Sequence, residues 1–404
     1  MPDFYLRDTC RLCGSHDLQL VLPLRDSPLC DAYVKEQKTQ SFYPLNLHHC
    51  KNCGFVQIDT VVDPEIIYRD YIYVTTSSSG LNKHFDQYAK DVCQQLKLEP
   101  SKLVIDIGSN DGTLLRSFKA KGHKVLGVEP SVNTAHEATA SGIETLPNFF
   151  SPELAAKIVD QYGFADVVTV NNLFANIDDL SEFTSGIEHV LGDGGVLIVE
   201  SSYLLDMINN MVFDFIYHEH LSYFSILPLS KFFKKFGMHL IHLEKVPTKG
   251  GSLRYFWAKE NSKWSVTSNV KVLTEREQAA DINLKIFRDF QSRIDVVQEQ
   301  LIGYLDAYSS HLIVGYGASA TSTTLISHFQ LNKYLTYLVD DNPGKVGTYS
   351  PGFHIPVCNS AELQRNTPDT IIILAWRYKD QILKRLPRSL SSAILVPLPN
   401  FEIL

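Results

Sequence analysis

Short apolar runs recur through the middle and last thirds of the chain, and most of them stop at a glycine-bearing or polar turn. Leu103-Val104-Ile105-Asp106-Ile107 enters Gly108-Ser109-Asn110-Asp111-Gly112 and then Thr113-Leu114-Leu115, the pattern of a buried strand, a tight turn and a helix start. Val125-Leu126-Gly127-Val128 is a second strand, ending in Glu129-Pro130. Asp166-Val167-Val168-Thr169-Val170 and Gly195-Val196-Leu197-Ile198-Val199-Glu200 are two more, with a helix expected over about 177–190 between them. The strand, glycine turn and helix return at 311–321, followed by a strand at Leu335-Thr336-Tyr337-Leu338-Val339 that ends in acids, and by Ile371-Ile372-Ile373-Leu374-Ala375 running into Trp376-Arg377-Tyr378. From about Val272 to Leu305, Ala279, Ile282, Ile286, Phe287, Phe290, Ile294 and Val297 fall at helical spacing, which predicts one long amphipathic helix or a broken pair. Strands alternating with helices in this way predict two Rossmann-like α/β domains, over about 69–265 and 266–404.

Residues 1–68 read differently. Cys10-Arg11-Leu12-Cys13-Gly14 and Cys50-Lys51-Asn52-Cys53-Gly54 are two copies of Cys-x-x-Cys-Gly, in which glycine relieves the positive φ of a tight knuckle. Four thiolates in two such pairs suit one structural Zn2+ with no open position. Free thiols or a redox pair are the other readings, and Cys30, His48 or His49 stand close enough in sequence to replace a cysteine. A module this short, with few long apolar runs, needs the metal for most of its folding free energy.

The chain of 404 residues has room for two or three domains. Its net charge of −8 gives no general basic footprint, which argues against nucleic acid as the main partner. No apolar run approaches the length of a membrane span and no signal segment opens the chain, so a cytoplasmic protein without a membrane partner is expected. The sequence leaves the oligomeric state open, a monomer included.

A strand, a glycine turn and an acid about 20 residues on suit a nucleoside whose ribose hydroxyls meet Glu129. The turn lacks the Gly-x-Gly-x-x-Gly spacing that seats a pyrophosphate, and Asp106 and Asp111 disfavour phosphate, so S-adenosyl-L-methionine fits better than a dinucleotide. Asp106, Gly108, Asn110, Asp111, Glu129, Asn148, Asn171 and Asn172 are the candidate donor-binding residues; plain loop structure is the other reading of the asparagines. The segment Tyr71-Ile72-Tyr73-Val74-Thr75-Thr76 suits either a loop closing over a ligand or an ordinary connection.

Tyr217-His218-Glu219-His220-Leu221-Ser222-Tyr223 crowds titratable and phenolic groups into a few positions, as proton transfer near neutral pH requires. Metal ligation or a hydrogen-bonded core cluster is the plainer account. With the paired Cys-x-x-Cys-Gly and the 104–115 turn, this string resembles the nucleotide-sugar C-methyltransferase family, whose members methylate C3 of nucleotide-linked 4-keto-6-deoxyhexoses. The resemblance covers essentially the whole chain. It implies a zinc-binding module, a methyl-donor domain and a C-terminal domain that helps hold the nucleotide-sugar. It also implies that His220 is the base forming an enolate, with Glu219 and Tyr217 beside it and Tyr71 or Tyr73 in a lid. Where relatives often carry Phe-Ala-His, this chain has Phe174-Ala175-Asn176, which leaves more of the proton transfer to His220. Asn176, Tyr203, His218, Arg254, Lys345, Trp376 and Arg377 are the candidates for the nucleotide-sugar. Arg254 suits a diphosphate, or else the solvent face of the strand after Gly250-Gly251. Gly315, Gly317, Ser319, Asp340 and the His354-Ile355-Pro356 turn are expected near the same face. An unperturbed imidazole of pKa about 6.5 predicts activity that falls in acid. An O- or N-methyltransferase and a non-catalytic nucleotide-sugar scaffold are the alternatives.

Overall fold

The computed structural model describes residues 3–68, 81–387 and 390–404. Tyr71 and Tyr73 lie outside the described residues.

In the N-terminal part the two knuckles are closed by backbone bonds from Gly14 N to Cys10 O and from Gly54 N to Cys50 O, both 2.8 Å, with the glycines at φ 74 and 82. The strands Leu18–Ser27, Tyr43–Cys50 and Val56–Ile58 form an antiparallel sheet. Its fourth strand comes from far along the chain: Ser222–Tyr223, directly after the Tyr-His-Glu-His string, pairs with Val56–Ile58. The zinc module thereby holds the string from one side.

The middle sheet has seven strands in the order Met238–Val246, Ser252–Lys259, Leu191–Ser202, Ala165–Asn171, Leu103–Ile107, Lys124–Val128 and Thr145–Leu146. The last five run parallel and the first two add an antiparallel hairpin at one edge. Leu103–Ile107 is buried along its whole length, as a parallel strand covered on both faces must be. Its carboxyl end, beside that of Ala165–Asn171, is where the chain order reverses and a crevice opens.

The helical stretch before the last domain is a broken pair, Ser268–Ala280 and Leu284–Ala307. Asp281 takes a left-handed φ of 46 and the Asn283 side chain accepts from Lys285 N to cap the second helix. That helix buries Phe287, Phe290, Ile294 and Val297. The C-terminal sheet runs Val357–Cys358, Leu335–Val339, Ile313–Tyr316, Thr370–Ile373, Ala393–Val396 and Glu402–Ile403, parallel except at the final strand. The fold is α/β, a zinc-type module followed by two Rossmann-like units. No helix among the described residues is long and apolar enough to cross a membrane.

Candidate active site

A cavity of about 500 Å³ opens at the carboxyl ends of the middle sheet. Its floor is the turn after Leu103–Ile107. Gly108 sits at φ 75, a conformation that favours glycine, and a Cβ there would stand 2.8 Å from Leu173 Cδ2 and press that side chain aside. Asn110 N and Ser131 N donate to the two oxygens of Glu129 at 3.0 and 2.9 Å, which fixes that carboxylate at the mouth. Asp106 accepts from Thr169 Oγ1 at 2.6 Å. Burial, and then the nearby Glu129, push Asp106 up to about 7, while Thr169 pulls the other way. Glu129 is raised by burial as well. Two acids in one crevice favour a ligand that carries positive charge and hydroxyl donors. Asn171, Asn172 and Asn176 also line the wall. Asn148 is exposed and off the wall, where the exposed ring of Phe149 stands instead. Asp111 is buried off the wall as well, its carboxylate accepting from Thr113 N and Oγ1 at 3.1 and 2.5 Å to start the next helix.

The Tyr-His-Glu-His string lies beside this crevice, none of Tyr217–His220 being among the residues that line it, and is joined both to the crevice's neighbouring turn and to the zinc module through Leu221. Leu221 N donates to Ala175 O at 2.8 Å, next to Asn176, and Ile58 N donates to Leu221 O at 3.1 Å. His220 is half-buried. Its Nδ1 lies 3.1 Å from Phe215 O, and since a carbonyl only accepts, Nδ1 carries the proton. Nε2 therefore keeps its lone pair and faces the Tyr217 hydroxyl at 3.3 Å. The ring is stacked on Phe215, its plane 18° from that ring, with the centroid of Tyr217 at 4.2 Å. Burial, then the Lys249 ammonium, lower the His220 pKa to about 3, with the Phe215 carbonyl opposing. Neutral imidazole is thus already the form present at pH 5. This corrects the expectation of an ordinary histidine titrating near 6.5.

Several candidates are held by partners that come from distant segments. His218 is buried, its Nε2 donating to Pro44 O at 3.1 Å, and burial drops its pKa to about 4; it anchors the string to the zinc module rather than meeting a substrate. Tyr203 is 1% exposed and donates to Glu277 at 2.9 Å. That glutamate also accepts from Ile226 N and Leu227 N, so Tyr203 closes a core network. Arg254 is 4% exposed, bonded to Glu200 at 2.8 and 3.0 Å and to Glu244 at 2.7 Å, and lies over the Tyr88 ring. It is buried, off the solvent face of the strand, with its guanidinium committed to these two carboxylates. Lys345 joins Asp31 at 2.6 Å and Ala318 O at 2.7 Å, tying the N-terminal part to the last domain. Trp376 and Arg377 both bond to the buried Asp214 at 3.0 Å, which latches the string's leading end to the last domain. They also edge a second cavity of about 930 Å³, with Lys245, Arg293 and Lys379 on its walls.

The residue absent from the candidates is Lys249. It lies on the wall of the 500 Å³ cavity, and in the sequence it opens the Lys249-Gly250-Gly251 segment whose resemblance to the family places it beside the sugar site.

In the N-terminal part, the four sulfurs of Cys10, Cys13, Cys50 and Cys53 lie within 4.8 Å of one another, with Cys10–Cys53 and Cys13–Cys50 at 3.6 Å. Tetrahedral zinc with Zn–S bonds of about 2.3 Å sets its sulfurs about 3.8 Å apart, so the cluster fits the ion.

Comparison with known proteins agrees with this geometry. Residues 10–68 match the family described as "Putative zinc binding domain", residues 81–243 "Methyltransferase domain" and residues 247–399 "C-methyltransferase C-terminal domain". A curated relative is the C-methyltransferase NovU of Streptomyces niveus, 27% identical over 98% of this chain and 97% of its own. Solved structures with similarity include the magnesium protoporphyrin IX methyltransferase of Synechocystis PCC 6803 with bound SAM. It is 16% identical, with a TM-score of 0.34 over 46% of this chain and 85% of that one. An S-adenosylmethionine-dependent methyltransferase from Clostridium acetobutylicum ATCC 824 is 14% identical, with a TM-score of 0.36 over 48% and 95%.

Proposed function

Because the chain belongs to the C-methyltransferases that join a zinc-binding domain, a methyltransferase domain using S-adenosylmethionine and a dedicated C-terminal domain, we propose that it methylates carbon beside a ketone. The acceptor in this reading is C3 of a nucleotide-linked 4-keto-6-deoxysugar, and His220 is the base. The observation that carries the reading is the tautomer of His220: Phe215 O holds the proton on Nδ1, leaving Nε2 bare and permanently neutral in the working pH range.

S-adenosylmethionine, when bound, supplies a methyl group made electrophilic by a sulfonium. Asp106 and Glu129 suit that cation and its ribose hydroxyls, and Phe149 offers a face for a purine. Nε2 of His220 takes the acceptor's carbon-bound proton, and the electron pair moves through the carbonyl to its oxygen. Tyr217, at 3.3 Å from Nε2, steers the ring. The carbon then accepts the methyl in line, with positioning as a main contribution of the protein. Trp376, Arg377 and their cavity support a nucleotide end placed toward the last domain, a wall the string shares through Asp214.

Mass spectrometry of dTDP-, GDP- and CDP-linked 4-keto-6-deoxysugars incubated with enzyme and donor tests the proposal, with NMR locating the methyl. One added methyl on C3 is expected. A methyl found only on oxygen or nitrogen overturns it.

A further inference from the structure

A base as weak as His220 removes a carbon-bound proton only where the enolate's charge is met as it forms, and that need directs attention to the cations around the string. Most are committed. Arg254 is held by Glu200 and Glu244, Lys245 by Asp206, Arg377 by Asp214, and Arg293 by the carbonyls of Ile208 and Asn209. Lys249 makes no ion pair among the described residues, and it opens onto the donor cavity that Asn172 and Asn176 also line. It is held there by an unusual backbone: Lys249 itself is left-handed at φ 55, followed by Gly250 at φ 84 and Gly251 at φ 127. A Cβ at Gly250 would stand 2.8 Å from Val212 and one at Gly251 2.7 Å from Asp206. The chain accepts a strained lysine ahead of two constrained glycines, a cost met at functional sites.

We propose that the Lys249 ammonium takes up the negative charge on the acceptor's carbonyl oxygen while His220 Nε2 removes the adjacent proton. This rests on the C-methyltransferase reading above. The C–H pair becomes the enolate C=C, the carbonyl π pair goes to oxygen beside Lys249, and the proton stays on Nε2. When the carbon captures the methyl, the oxygen pair returns to C=O and Lys249 is again free. Consistent with this placement, the Lys249 charge lowers the His220 pKa.

The test uses full-length Lys249→Gln and Lys249→Arg. It reads deuterium wash-in at the acceptor's C3, kcat for methyl transfer and donor affinity by calorimetry. Lys249→Gln should slow wash-in and kcat by about 10²–10³-fold, with donor affinity within about twofold, and Lys249→Arg should recover part of the loss. Weaker donor binding with unchanged wash-in at saturating donor would overturn the assignment in favour of a donor-carboxylate contact. Wild-type-like Lys249→Gln would overturn it outright. Wild-type enzyme on the same acceptor separates the two claims: carbon methylation with an unaffected Lys249→Gln removes Lys249 alone, whereas methylation of oxygen or nitrogen without exchange removes both.

Discussion

The middle and C-terminal sheets each end a buried strand in a glycine turn, but the two turns are covered differently. After Leu103–Ile107, the acids Asp106 and Glu129 line a cavity of about 500 Å³ among the described residues. After Ile313–Tyr316 the corresponding space is taken by the protein itself. Ala318 N donates to Asp340 at 2.6 Å, Lys345 bonds Ala318 O, and a Cβ on Gly317 would stand 2.5 Å from Ala375. Ser319 and Ser322 form a capping box that takes up the Ser319 and Ser322 amides at the start of the next helix. The turn at Gly315, Gly317, Ser319 and Asp340, expected near the nucleotide-sugar's face, is thus taken up by the protein's own bonds. Similar turns mean different things according to what the returning chain places over them.

The contrast can be broken by substitution. Removing the proposed base has the largest expected effect: His220→Asn should lower methyl transfer by about 10²–10⁴-fold with donor affinity within about twofold, read by steady-state kinetics and calorimetry. Next come the paired glycines. Gly108→Ala pushes a methyl into Leu173 at the crevice, and calorimetry should show donor affinity reduced by about tenfold or more, about 1.4 kcal/mol. Gly317→Ala, also at positive φ, should cost about 2–4 kcal/mol of stability in denaturant unfolding and leave donor affinity intact where the protein is folded. Equal loss of donor binding in both variants would dissolve the distinction.

Smaller effects sharpen it. Asp106 is ionised above about pH 7 and neutral below, so a cationic donor should bind more tightly as pH rises from 6 to 8, by up to a fewfold. Asp106→Asn should flatten that dependence in a calorimetric pH series. Asp340→Asn should cost about 1 kcal/mol through its weakened bond to Ala318 N and leave the donor's pH dependence as it was.

What the sequence made legible was local. The knuckles announce themselves because cysteine spacing and the following glycine are set by one turn, and the crevice floor because strand, Gly108 and Glu129 obey the geometry of a single βαβ unit. Partnerships across sheets were not legible. Arg254 sits between Glu200 and Glu244 only because strands Leu191–Ser202, Ser252–Lys259 and Met238–Val246 adopt that register. Tyr203 meets Glu277, and Trp376 meets Asp214, through tertiary packing alone. The His220 pKa was missed for the same reason, since its lowering comes from burial and from Lys249, 29 positions away.

The claim at the centre is that Nε2 of His220 takes a proton from carbon. NMR in heavy water, with S-adenosylhomocysteine replacing the donor, follows it directly on the nucleotide-linked 4-keto-sugar. The account predicts deuterium entering C3 with wild-type enzyme and about 10²–10⁴-fold more slowly with His220→Asn. Equal exchange in the two proteins, or none in a wild type that still transfers methyl, would contradict it.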